Sequence, residues 1–135
     1  MGLFDKLFGG STGSPAKSQK QQDQTSWIDL NDITQLDKIF EQSKTRPQLI
    51  FKHSTRCGIS RMVISQFKKD YKLSEDEADL YYLDLLIHRD ISNAIAEKFK
   101  VIHESPQLIV IKNGEVVNHG SHGSINDLRL TDIVN

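Results

Sequence analysis

From Trp27 onward the apolar positions alternate between helical and strand-like spacing. Asn31 or Asp32 can cap a helix in which Ile33, Leu36, Ile39 and Phe40 share one face, and Asp32 with Gln35 has capping-box spacing. Pro47 closes that segment. Gln48–Lys52 reads as a short buried strand and Ser54–Cys57 as a turn. A helix is predicted from Cys57 to Lys72, with Ile59, Met62, Val63, Phe67 and Tyr71 turned inward. The run Leu80–Ile87 reads as a strand, and Asp90 caps a helix carrying Ile91, Ala94, Ile95 and Phe99. Leu108–Ile111 and Glu115–Val117 flank Asn113-Gly114, a dipeptide that favours a type I′ hairpin. Ser124 caps a last helix through Ile125, Leu128 and Ile133. Strands joined through helices pair in parallel and the closing hairpin is antiparallel, so the pattern predicts an α/β domain with a mixed sheet and helices on both faces.

Upstream the pattern changes. Residues 11–26, STGSPAKSQKQQDQTS, hold four Ser, four Gln and no large apolar side chain, the composition of a flexible linker. Residues 1–26 are therefore read as an N-terminal tail with its linker, and 27–135 as the folded domain. In MGLFDKLFGG, Leu3, Phe4, Leu7 and Phe8 recur at helical spacing, but Asp5 and Lys6 interrupt any signal-peptide core. Lys6 also stands where a myristoylation motif wants Ser or Thr. The segment reads either as a short helix that touches a membrane or partner or as a frayed tail; ten residues are marginal for an isolated helix, which favours the tail. No apolar run exceeds four residues, far short of the ~20 needed for a membrane span. With 17 basic and 18 acidic side chains the chain carries a net charge of −1 and offers no general attraction to a nucleic-acid backbone.

The chain contains one cysteine. A single thiol excludes a disulfide-stapled scaffold and any zinc site built from several cysteines. Cys57 sits where a strand hands over to a helix, in His53-Ser54-Thr55-Arg56-Cys57-Gly58-Ile59-Ser60. The free N–H groups and positive end of a helix macrodipole favour a thiolate there, and Arg56 adds a positive charge. Ser60, one turn on, could donate its hydroxyl to the sulfur, and Gly58 leaves the approach uncrowded. The bland alternative is a buried structural cysteine. Its polar neighbours Thr55, Arg56 and Ser60 favour the reactive reading.

The order of elements resembles the thioredoxin fold, with Cys57 at the position of its first active-site cysteine and Ser60 where the resolving cysteine would stand. More closely, STRCGIS at Ser54–Ser60, RDISNAIAEKF at Arg89–Phe99, HESPQ at His103–Gln107, the KNGEVV hairpin and the SHGSI stretch resemble the YtxJ-like monothiol bacilliredoxins. The resemblance implies a cytoplasmic thiol–disulfide oxidoreductase whose co-substrate is the low-molecular-weight thiol bacillithiol and whose partners are bacillithiolated client proteins. It further implies Cys57 and Ser60 as catalytic residues, and a cis-proline loop at Pro106 where the backbone of Ser105 pairs with an extended substrate. Lys52, Arg56 and Arg61 cluster around the cysteine in sequence and could hold the carboxylates of bacillithiol's malate moiety; alternatively Lys52 and Arg61 are simply solvated.

Gly58 departs from the proline expected in many relatives and creates Cys-Gly-Ile-Ser, similar to the CGFS motif of monothiol glutaredoxins. That similarity keeps an alternative open, an iron–sulfur carrier in which a small thiol and a second subunit complete the ligands. A redox-inert adaptor is a third reading. His119 and His122 have HxxH spacing in a Gly/Ser loop with no third ligand nearby, so no metal site is expected. His53 reads as a base toward Cys57 or as a turn residue. Asp84, inside an apolar run, either faces solvent or relays protons beneath the cysteine.

Overall fold

Residues 25–134 are described by the structure, a computed structural model. The tail and all but the last two residues of the linker read over 1–26, with Leu3, Phe4, Leu7 and Phe8, lie outside the described residues. Five strands form one sheet: β1 (Trp27–Asp29), β2 (Gln48–His53), β3 (Asp79–Asp84), β4 (Gln107–Lys112) and β5 (Glu115–Ser121), in the order β1-β3-β2-β4-β5. β1, β3 and β2 run parallel, and β4 and β5 add antiparallel pairs. β2 is buried along its whole length because it lies between β3 and β4 with helices over both faces, which explains its unbroken Leu49-Ile50-Phe51 run.

Helix α1 (Gln35–Gln42) and helix α3 (Arg89–Phe99) cover one face, where Leu36, Ile39, Ile91, Ile95 and Phe99 pack on Ile50 and Ile109. Helix α2 (Gly58–Asp70) covers the other, packing Val63, Ile64 and Phe67 on Leu49, Phe51 and Val110, joined by Ile125 of the 3-10 turn His122–Asp127. A short helix α4 (Leu130–Val134) ends the described chain.

Ahead of α1, Gln35 Oε1 accepts from the Asp32 amide at 2.9 Å as the spacing predicts, but Asp32 Oδ1 accepts from the Thr34 amide at 2.9 Å instead of from Gln35, and the N-cap is Thr34 rather than Asn31 or Asp32. The hairpin also forms, with Asn113 at φ 54° and Gly114 at φ 78°, both in the left-handed region a type I′ turn requires. Its tip rests on the end of α1, where Ser43 accepts from the Asn113 amide through its carbonyl oxygen and from the Gly114 amide through Oγ, both at 2.8 Å. Gly114 is required twice over: a Cβ there would lie 2.7 Å from Phe40 Cε1.

Several expectations are corrected. β1 was not predicted at all; three residues with one partly buried and two exposed give no pattern until they pair with β3. Ile33 is 49% exposed because it lies in the turn before α1 rather than on its buried face. β3 ends at Asp84 instead of Ile87, since Asp84 Oδ1 accepts from the Leu86 amide at 3.0 Å and its carbonyl oxygen from the His88 amide at 3.0 Å, closing a turn. α3 starts two residues earlier than it would if Asp90 capped it, with His88 at the cap and Asp90 in the first turn, where its charge suits the helix dipole. The last helix is split. Ser121 caps the 3-10 turn with Ser124 as its reciprocal partner, and extended backbone at Leu128 separates it from α4.

Candidate functional site at the start of helix α2

Four connections leave the same end of the sheet. β2 runs into Ser54–Cys57, β3 into the turn at residues 85–88, β4 begins after Ser105–Pro106, and β5 ends at the 3-10 turn. Cys57 occupies the N-cap of α2 with extended backbone (φ −95°, ψ 122°), is partly exposed, and its carbonyl accepts the first helical hydrogen bond from the Arg61 amide at 3.0 Å. The first amides of the helix have no carbonyl one turn earlier to bond, so they are directed toward the cap where the sulfur sits. A Cβ at Gly58 would meet only Arg61 Nη2, at 3.9 Å, so space above the helix start is open.

Ser60 is fully buried. Its Oγ accepts from the Ser54 amide at 3.1 Å and lies 2.7 Å from His53 Nδ1. These contacts rotate α2 relative to the sequence reading. The buried face is Ser60, Val63, Ile64 and Phe67, and Ile59 and Met62, expected inside, are 59% and 74% exposed. Apolar character alone cannot separate a core position from a surface one, and the polar contacts of Ser60 decide the rotation. With Leu86 and Ile87 after β3 and Ile102 before the proline, Ile59 and Met62 give the Cys57 end of the sheet a set of exposed apolar side chains.

Arg56 is exposed next to Cys57, whereas Arg61 folds back and donates from Nη1 to the Thr55 carbonyl at 3.2 Å, bracing the loop. Lys52 is neither solvated nor beside the sulfur. Strand alternation puts it on the sheet face opposite His53 and α2, and it is 0% exposed. Burial pushes its amine down to about 8, partly opposed by Glu104 and reinforced by Arg89, and Nζ makes no hydrogen bond among the described residues. On the same face, buried Ser92 lies 3.1 Å through Oγ from His103 Nδ1. Burial also holds His103 below the usual histidine range, helped by the charges of Lys52 and Arg89.

The Ser105–Pro106 peptide is cis, and the Pro106 carbonyl accepts from the His122 amide at 3.0 Å, tying this loop to the end of β5. Asp84 is the cross-strand neighbour of His53 and on its face of the sheet. Among the described residues no three His, Cys, Asp or Glu side chains gather where they could hold a metal ion, and no helix is long and apolar enough to cross a membrane.

Residues 28–130 match the family described as monothiol bacilliredoxin BrxC. A solved structure described as an oxidoreductase with a thioredoxin fold is 38% identical, covering 81% of this chain and 94% of that one, with a TM-score of 0.67. The thioredoxin of Malassezia sympodialis (18% identity; 82% of this chain and 88% of that one; TM-score 0.60) and that of Schistosoma mansoni (24%; 81% and 93%; 0.57) share the fold alone. The sheet order and the helices on both faces are those of a thioredoxin fold.

Proposed function

Because the chain belongs to the monothiol bacilliredoxin family of thioredoxin-fold thiol oxidoreductases, we propose that Cys57 removes bacillithiol from mixed disulfides on client proteins. The Cys57 thiolate attacks the bacillithiol sulfur of the mixed disulfide. The new bond is a Cys57–bacillithiol disulfide; the bond that breaks releases the client as a thiolate, which takes a proton from water. A second small thiol then attacks the Cys57 adduct and regenerates the enzyme, so each cycle consumes one external thiol and forms one low-molecular-weight disulfide.

The observation that supports this reading is a lone, partly exposed cysteine at the N-cap of a 13-residue helix, with a buried serine in the position a resolving thiol would occupy. Sulfur at this cap is the attacking thiolate in the first exchange and the leaving thiolate in the second. Exposed Arg56 can take a carboxylate of the malate moiety. The backbone of Ser105 beside Pro106 docks an extended client segment, and Ile59, Met62 and Ile102 give it apolar contact. A cytoplasmic site of action, where thiols stay reduced, belongs to the same reading.

The test is release of the client thiol from a bacillithiolated protein with bacillithiol present for turnover. Wild type should accelerate release, and Cys57→Ser should return it to the uncatalysed rate. Equal acceleration by both proteins would end the proposal.

A further inference from the structure

The functional reading above leaves unused one buried titratable group beside the site. His53 is 5% exposed and Ser60 0%, and their side chains meet at 2.7 Å through Nδ1 and Oγ. Ser60 Oγ also accepts from the Ser54 amide at 3.1 Å, which takes one of its two lone pairs. A hydroxyl has a single hydrogen. If Nδ1 is bare, that hydrogen is committed to His53. If Nδ1 carries a hydrogen, His53 donates, the second lone pair is filled, and the Ser60 hydrogen is left for Cys57, one turn earlier on the same helix start.

We propose that His53 is a positioning residue for Cys57 that acts through Ser60, its hydrogen on Nδ1 turning the Ser60 hydroxyl toward the sulfur and its bare Nδ1 turning it away. A Cys57 thiolate and a hydrogen on His53 Nδ1 therefore favour each other, and the coupling is reciprocal. This inference rests on Cys57 being the reacting group, but not on which thiol it carries.

The surroundings of His53 set where the switch works. Burial is the main influence and holds its proton affinity below the ordinary histidine value of 6.5; Asp84 of β3 opposes this, and Lys68 and Arg61 of α2 reinforce it. The ring packs against Tyr82 with centroids 5.7 Å apart, and burial keeps that phenol protonated above its usual range. Trp27 and Asp29 of β1 and Ile64 and Lys68 of α2 complete a hollow beside the imidazole. His53 is thus neutral at pH 7, and a thiolate selects its Nδ1–H tautomer. At lower pH, once His53 is protonated, the cation supplies the same hydrogen.

The experiment is the pH profile of Cys57 alkylation by iodoacetamide, which reads the sulfur directly and needs no bacillithiol. Without coupling, the rate rises tenfold per pH unit until the thiol is fully ionised. Wild type should rise less steeply through the window where His53 titrates, the shortfall totalling on the order of fivefold. His53→Asn retains an N–H near the Nδ1 position without titrating, and should restore the uncoupled slope. Ser60→Ala should do the same, with no further change when the two substitutions are combined. A wild-type slope of ten throughout, or a shortfall that survives in Ser60→Ala, would overturn the inference.

Imidazole 15N spectra of wild type provide a measurement independent of any variant. At a pH where the alkylation profile shows the thiol fully ionised, His53 should shift from the Nδ1–H toward the Nε2–H tautomer when the sulfur is alkylated, and an unchanged tautomer would be equally fatal. A protein that passes these tests yet fails to release bacillithiolated clients would refute the proposed function and leave the positioning role standing.

Discussion

Lys52 stands between apolar Phe51 and the site residue His53 in one strand, yet alternation places it on the face covered by α1 and α3, away from the sulfur. Its amine is pushed from 10.5 down to about 8, so between those values the unfolded chain holds a proton that the folded chain has lost. Stability contributed by this site therefore rises with pH across that window, and below about 8 the full cost of burying the cation is present. Lys52→Met should stabilise the fold by about 3 kcal/mol near pH 7 and by less than about 1 kcal/mol at pH 10, measured by urea unfolding at both values. Equal effects at the two pH values would contradict this account of Lys52. Ser60 makes a complementary prediction. Because it sits three residues from the N-cap on the buried side of α2, Ser60→Cys should let Cys57 close an intramolecular disulfide. Oxidised protein should then lose two hydrogens in mass instead of retaining a bacillithiol adduct, and a persistent adduct would show that the two sulfurs do not meet.

The elements most legible in the sequence were those whose own residues specify them. The Asn113-Gly114 turn is one, since only residues tolerant of positive φ build it. Gly114→Ala should destabilise the fold by at least about 1 kcal/mol through both the φ of 78° and the contact with Phe40. Gly123→Ala, where nothing lies within 4 Å of the added carbon, should stay within about 0.5 kcal/mol. Thermal unfolding of the two variants checks the contrast. The elements least legible depend on neighbours distant in sequence. β1 exists because Trp27–Asp29 pairs with Leu80–Tyr82, and β3 stops early because the Asp84 side chain competes with the ladder for backbone amides. The rotation of α2 belongs here too. Val63 and Phe67 were read correctly as inward, but the buried face is completed by Ile64 and by polar Ser60, held by His53 and Ser54 from outside the helix.

At the scale of the whole molecule, Cys57 at a helix start was visible in the sequence because a strand, a short turn and a helix are local events. The rest of the site was not, because the sheet assembles it. Antiparallel β4 brings Ser105–Pro106 to the end of the sheet where parallel β2 delivers Cys57, and the turn after β3 adds Leu86 and Ile87. Those exposed apolar residues, unlike a core, are available to a protein client, and the lone thiol requires its second sulfur from another molecule. The most direct measurement of this account is a single turnover with a bacillithiolated client in the absence of free thiol, quenched in acid and read as intact masses. The expected result is a gain of one bacillithiol on Cys57 in step with its loss from the client. A client that loses bacillithiol while the mass at Cys57 stays unchanged would contradict it.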